Sequence, residues 1–91
     1  MATVFVPSLM RKLTDDQDTL EVPGATVREV IKNLEAKYPG TKERLVDKFK
    51  LKSSISVAVD GQVSPMGLLA KVGEQSEVHF LPAIGGGRQG Q

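Results

Sequence analysis

The chain contains no cysteine and a single histidine, His79. Without cysteine there is no thiolate nucleophile, no structural disulfide and no zinc–thiolate site. One imidazole does not assemble a metal centre by itself. Charge of one sign is also missing: 12 Lys and Arg stand against 11 Asp and Glu, for a net +1. Binding to nucleic acid by phosphate neutralisation calls for a basic face. The basic clusters are Arg11-Lys12 and Lys48/Lys50/Lys52; the second alternates with Phe49 and Leu51 and reads as a solvated face in preference to a nucleic-acid site. No apolar run approaches the ~20 residues that span a bilayer, and Met1 to Phe5 lacks a positive region ahead of a long apolar stretch. The expectation is a cytoplasmic chain with neither a nucleic-acid nor a membrane partner.

The usual catalytic constellations are absent too. A serine nucleophile needs a histidine base and an orienting acid, and no serine sits in a Gly-x-Ser-x-Gly elbow. The carboxylates Asp15, Asp16, Asp18, Glu43 and Asp47 fall in polar turns or on exposed helix faces, where nothing raises a pKa toward general-acid work. Gly85-Gly86-Gly87 is glycine-rich, but no helix follows to offer its N-terminus to a phosphate. The chain is not expected to be an enzyme acting through side chains, and no bound cofactor is expected.

What is present is the pattern of one small domain. A chain of 91 residues holds a single core, with a stability of roughly 5–10 kcal/mol. Thr3-Val4-Phe5-Val6-Pro7 alternates, and so does Thr19-Leu20-Glu21-Val22 before Pro23-Gly24; with the polar turn between them they predict a hairpin. Thr26-Val27-Arg28-Glu29 fits a capping box with Glu29 reaching back to the Thr26 amide. Val27, Val30, Ile31, Leu34 and Tyr38 then form a helical stripe that ends at Pro39-Gly40. Leu45, Val46 and Phe49 are expected to anchor a short second helix. Ile55, Val57 and Val59 alternate toward Asp60-Gly61, a two-residue hairpin signal. Gln62-Val63-Ser64 is a brief return strand, Met66 to Leu69 a turn carrying core leucines, and Glu77 to Leu81 the last strand. The order β-β-α-β-β-β predicts an α+β, β-grasp (ubiquitin-like) fold, with one main helix across a mixed four- to five-stranded sheet; it satisfies the right-handed crossover rule if the first and last strands pair in parallel. Residues 1–83 form that domain, and 84–91 a flexible glycine-rich tail.

The tail leaves the last strand through Leu81-Pro82 and passes Ala83-Ile84 to consecutive glycines. Glycine has no Cβ, so Gly-Gly can thread a narrow channel, and its carboxyl is the least hindered toward attack. These residues carry a resemblance. Val4-Phe5-Val6-Pro7, Ala25 to Ile31, Leu34 to Pro39, Val57-Ala58-Val59-Asp60-Gly61 and above all Leu81-Pro82-Ala83-Ile84-Gly85-Gly86-Gly87 resemble the ubiquitin-like sulfur carriers, of the molybdopterin synthase small-subunit, ThiS-like and cysteine-biosynthesis types. The resemblance implies that an E1-like adenylyltransferase/sulfurtransferase uses ATP to adenylate the carboxyl of Gly87, beside Gly86, and that sulfur then replaces AMP. The thiocarboxylate would supply a sulfur-accepting synthase in cysteine or molybdopterin synthesis, in the latter case as the synthase's small subunit. The carriers of this kind mostly end at the diglycine, whereas here Arg88-Gln89-Gly90-Gln91 follow. A JAMM-type metalloprotease cutting between Gly87 and Arg88 is therefore implied.

If the inner sheet face carries Val4, Val6, Ile55, Val57, Val59, Val78 and Phe80, the outer face carries Phe5, Ser56, Ala58, His79 and Leu81. Phe5 and Leu81 are expected to be neighbours beside the tail's exit. Phe5, Ala58, His79, Leu81, Pro82, Ala83, Ile84 and Gly85 are the candidate partner-binding residues. Two other functions share this pattern: a protein modifier that ends in an isopeptide bond, and an interaction module without terminal chemistry.

Overall fold

Alternation in the first residues buries Val4 at 1% exposure and leaves Thr3 and Phe5 half-buried on the other side. In the computed structural model, which describes residues 1–82, this segment is β1 (Ala2–Phe5). It pairs antiparallel with β2 (Thr19–Val22), in a register running from Ala2 opposite Val22 to Phe5 opposite Thr19. The connection between them is more than a polar turn. Ser8–Thr14 wind into a 3-10 helix that buries Met10 and Thr14. The chain then reverses through Asp15 and Asp16, both left-handed with φ of 54° and 61°.

The predicted helix is α1 (Val27–Lys37), and its stripe of Val27, Val30, Ile31 and Leu34 is buried. The Glu29 amide donates to Thr26 Oγ1 over 3.2 Å, as a capping box requires. The Glu29 carboxylate accepts from the Ala25 amide at 2.9 Å, one residue before the expected Thr26. Gly24, at φ 154°, passes so close to this first turn that a Cβ there would stand 2.7 Å from the Val30 nitrogen.

After α1 the chain departs from expectation. The second helix, α2 (Thr41–Leu45), is one turn long, and Leu45 supplies its anchor at 0% exposure. The α1 residue Glu35 caps it, accepting from the amides of Gly40 at 3.1 Å and Lys42 at 2.9 Å. Val46 is already extended and opens a small hairpin of β3 (Val46–Asp47) and β4 (Lys50–Leu51). Phe49 therefore anchors no helix. It stands at the hairpin's tip, 93% exposed, next to Lys48 at φ 63°.

β5 (Ile55–Val59) and β6 (Gln62–Val63) follow, joined by Asp60 and Gly61 with φ of 53° and 85°. Both values are positive, as a type I′ turn demands. Of the two leucines in the 3-10 turn Gly67–Leu69, only Leu68 packs against the core, and Leu69 is 64% exposed. β7 (Glu77–Pro82) lies parallel to β1 and antiparallel to β5, giving the order β2-β1-β7-β5-β6. With α1 packed across its inner face this is the expected β-grasp. Val4, Val6, Val57, Val78 and Phe80 join the helix stripe in one buried cluster, with Ile55 and Val59 partly buried against it.

The start of β7 is tied to the β5–β6 turn. Asp60 accepts from the Glu77 amide at 2.9 Å and from the Ser76 hydroxyl at 2.8 Å, and the Asp60 amide donates to the Glu77 carbonyl at 2.8 Å. The bonds from Glu77 and then Ser76 hold the Asp60 carboxyl below the ordinary aspartate range. A carboxylate whose folded-state pKa is lowered stabilises the fold above its unfolded pKa and loses that effect as pH falls through the folded value. Asp60→Asn should therefore flatten the decline in stability below about pH 4, as read by urea unfolding at neutral and acid pH. Gly24→Ala should cost about 2 kcal/mol or more, because backbone lies where its methyl must go; the same urea titration measures it.

Candidate functional site

Since β7 lies between two strands, its residues are held on both sides. Thr3, Val4 and Phe5 of β1 stand opposite Glu77, Val78 and His79. On the other side β5 pairs along the strand to its end, with Ile55 opposite Pro82. The chain is thus fixed in direction up to Pro82. Of the sequence-predicted residues, Ala83, Ile84, Gly85, Gly86, Gly87 and Arg88 lie outside the described residues. From Pro82 to Gly87 an extended chain reaches roughly 17 Å.

The outer face is ordered by the same register. One row crosses the sheet as Thr19, Phe5, His79, Ala58 and Val63 on β2, β1, β7, β5 and β6. The direct neighbour of Phe5 is therefore His79, and Leu81 is only its diagonal neighbour. The parallel pairing of β1 with β7 sets this offset, which alternation within single strands did not reveal. The two rings stack, with centroids 4.0 Å apart and planes 17° from parallel. His79 Nε2 stands 3.8 Å from Glu77 Oε1 in the neighbouring row. Thr3 Oγ1 donates to Glu21 at 2.8 Å there, so that row is acidic and polar.

Toward the tail the face becomes apolar. Leu81 is 39% exposed and stands opposite Ser56. Ala58 shares this face but retains 5% of its surface, because its short side chain lies between the larger His79 and Val63. It shapes the face and offers little area for contact. Among the described residues no group of three or more His, Asp or Glu side chains could hold a metal ion. The arrangement presents a stacked aromatic pair and an exposed leucine beside a fixed point of chain exit. It is suited to docking a protein and directing a chain end into it.

A second exposed apolar group escaped the sequence reading. Phe49, Met66 and Leu69 line one cleft of about 480 Å³ below the β3–β4 hairpin. Phe49 had been placed in a helix and Leu69 in the core, so periodicity hid both. The alternation of Lys48, Lys50 and Lys52 around Phe49 was the available sign of a strand with an outward aromatic at its tip.

Comparison with known proteins gives concordant results. The ThiS family profile matches residues 4–87. Sulfur carrier protein CysO of Mycobacterium tuberculosis is 33% identical over 90 residues, covering 93% of this chain and 97% of that protein. A chain of the crystallised Amycolatopsis orientalis BexX/CysO complex superposes with a TM-score of 0.87 at 36% identity, covering 96% of this chain and 100% of that one. Small archaeal modifier protein 1 of Methanosarcina acetivorans superposes at 0.76 with 24% identity, covering 94% of this chain and 95% of that one, a likeness of fold.

The stacked pair gives a direct test of the outer face. A double-mutant cycle with Phe5→Ala and His79→Ala should return a coupling of about 1 kcal/mol. Additive losses of stability would show that the rings do not pair in solution.

Proposed function

The chain belongs to the ThiS family of ubiquitin-like sulfur carriers, and on that premise we propose that its working group is the backbone carboxyl of Gly87. The observation that carries this reading is a coincidence of ends. The family match stops at Gly87, the second residue of Gly86-Gly87, and these glycines begin four residues beyond Pro82, the last residue held in the sheet. A fixed strand is thus followed, after Ala83-Ile84, by three glycines without Cβ atoms, a segment that can lie in a partner's channel.

The chemistry follows from what a carboxylate lacks. It is a poor electrophile, so one of its oxygens first attacks the α-phosphorus of ATP, expelling pyrophosphate and leaving an acyl adenylate. A hydrosulfide equivalent then attacks the carbonyl carbon, AMP departs with the electrons of the broken C–O bond, and loss of a proton leaves the thiocarboxylate. The carrier supplies the acyl carbon and holds the sulfur covalently, while the activating enzyme supplies ATP and the catalytic groups. The carrier is consumed and regenerated as a co-substrate. Its relatives named CysO favour cysteine synthesis over molybdopterin synthesis as the destination of the sulfur.

In the chain as given, Gly87 is bonded to Arg88 through an amide and has no free carboxylate to adenylate. Removal of Arg88 to Gln91, by a metalloprotease of the JAMM type, precedes activation in this reading. Phe5, His79 and Leu81 then dock the activating enzyme with the tail directed into its site. Aromatic anchors dominate such interfaces.

The intact mass of the protein purified from its native host tests the proposal. The expected result is loss of residues 88–91, with a fraction heavier by the difference between sulfur and oxygen. A full-length mass under every growth condition would refute it. In a reconstituted adenylation assay run well below the melting temperature, which loss of the stack should lower by several degrees, Phe5→Glu should lower kcat/KM more than tenfold; unaltered kinetics would remove the outer face from the docking surface.

A further inference from the structure

The β3–β4 hairpin holds Phe49 in water, 93% exposed, with Lys48 left-handed at the turn. Met66 and Leu69 are 58% and 64% exposed and share one cleft with it. Single exposed apolar residues are common and need no explanation. Three large ones around one cleft are a different matter, because contiguous apolar surface marks interaction sites. None of the three contributes to the buried core, so stability does not account for them.

The walls of the cleft carry one sign of charge. Arg28, Lys50 and Lys52 line it, and among the described residues no Asp or Glu does. In a chain whose net charge is only +1, this is a local separation of charge, and it selects an acidic counterpart. The position matters equally. Ile55 lines the cleft and is also the register partner of Pro82. The cleft therefore opens at the end of the sheet from which residues 83–91 depart. Whatever receives Gly87 lies within the roughly 17 Å that an extended chain reaches from Pro82.

We propose that this cleft is a second docking surface, occupied by an acidic segment with exposed apolar side chains on the enzyme that activates Gly87. The proposal rests on the carrier reading above. Phe49 is the anchor, entering an apolar pocket of the partner, while Met66 and Leu69 receive the partner's apolar side chains. Lys50, Lys52 and Arg28 pair with its carboxylates at the rim. A nucleic acid fits less well, since Met66 and Leu69 offer bases no stacking plane and the phosphate-neutralising charge is small.

The test uses the chain expressed with its terminus at Gly87, which retains every described residue, and ATP–pyrophosphate exchange by the host's adenylating enzyme. Phe49→Ala should raise KM about tenfold or more with kcat within about twofold, and with an unchanged melting temperature. Lys50→Glu with Lys52→Glu should raise KM similarly at low salt, and the difference should shrink as salt screens the pairs. The Phe49→Ala effect should persist in salt. If both variants keep the wild-type KM while the wild type is active, the cleft is not a docking surface and the carrier reading survives. A wild-type chain that is never adenylated would overturn both. Wild-type KM combined with Phe49-dependent binding of a fluorescein-labelled single-stranded RNA would make the cleft a nucleic-acid site and the proposal wrong.

Discussion

The whole arrangement depends on β7 being hydrogen-bonded along both edges, parallel to β1 and antiparallel to β5. A parallel pair between the first and last strands leaves the chain between them to cross over the sheet, and α1 covers the inner face in doing so. The buried stripe of α1 shares one hydrophobic cluster with Val4, Val78 and Phe80, so the helix closes the core over the strands whose pairing it permits. At the other end of β7, Asp60 and Ser76 tie the strand's first residues to the β5–β6 turn. The strand is therefore anchored at its start, along both sides and from beneath. Its last residue is the base from which the tail extends.

That rigidity matters because the described side chains present no reactive constellation. Where the chemistry belongs to a backbone carboxyl, the protein contributes position and recognition. Position comes from β7. In the proposed reading, recognition comes from the Phe5–His79 stack on the outer face and the basic, apolar cleft near the exit. The division is physically economical: most core residues can be chosen for packing, and most outward residues for the partner. Among the described residues the sets meet where Leu51, Ile55, Val57 and Leu68 line the cleft and also pack in or against the core, and at Ala58, an outer-face residue too short to emerge between its neighbours.

Much of this was legible because local signals agreed with the tertiary result. The alternation of Val4, Val57 and Val59, the Thr26 N-cap, the α1 stripe and Asp60-Gly61 each had one physical reading, and the structure adopts it; only the return bond of the capping box differs, from the Ala25 amide instead of Thr26. The failures cluster where short elements are decided by tertiary contacts. Ser8–Thr14 carries no clear helical stripe, yet Met10 is buried there. From Leu45 onward, helical spacing and strand alternation both fit Val46 to Leu51, and the strand pairing that sets Val46 opposite Leu51, with both packed against the core beside the buried Leu45, prevailed. Cross-strand offset is invisible to single-strand patterns. The stacking of Phe5 on His79 was therefore not legible, although both residues were correctly placed on the outer face.

Two docking surfaces, as proposed, would have a consequence for a carrier with a glycine terminus. Glycine fits a narrow channel, but of all residues it loses the most conformational freedom when it is ordered. The ordering cost falls on the binding step. One small patch on the outer face fixes the domain's distance from a partner but leaves rotation about the contact. A second patch, around the sheet's edge and beside the same exit, removes that rotation. The terminal carboxyl is then confined to the volume swept by five residues from a fixed origin, and its encounter with the nucleotide becomes effectively intramolecular. Strength of contact at either patch could stay modest, which suits a carrier that has to leave one enzyme and reach the next with its sulfur attached.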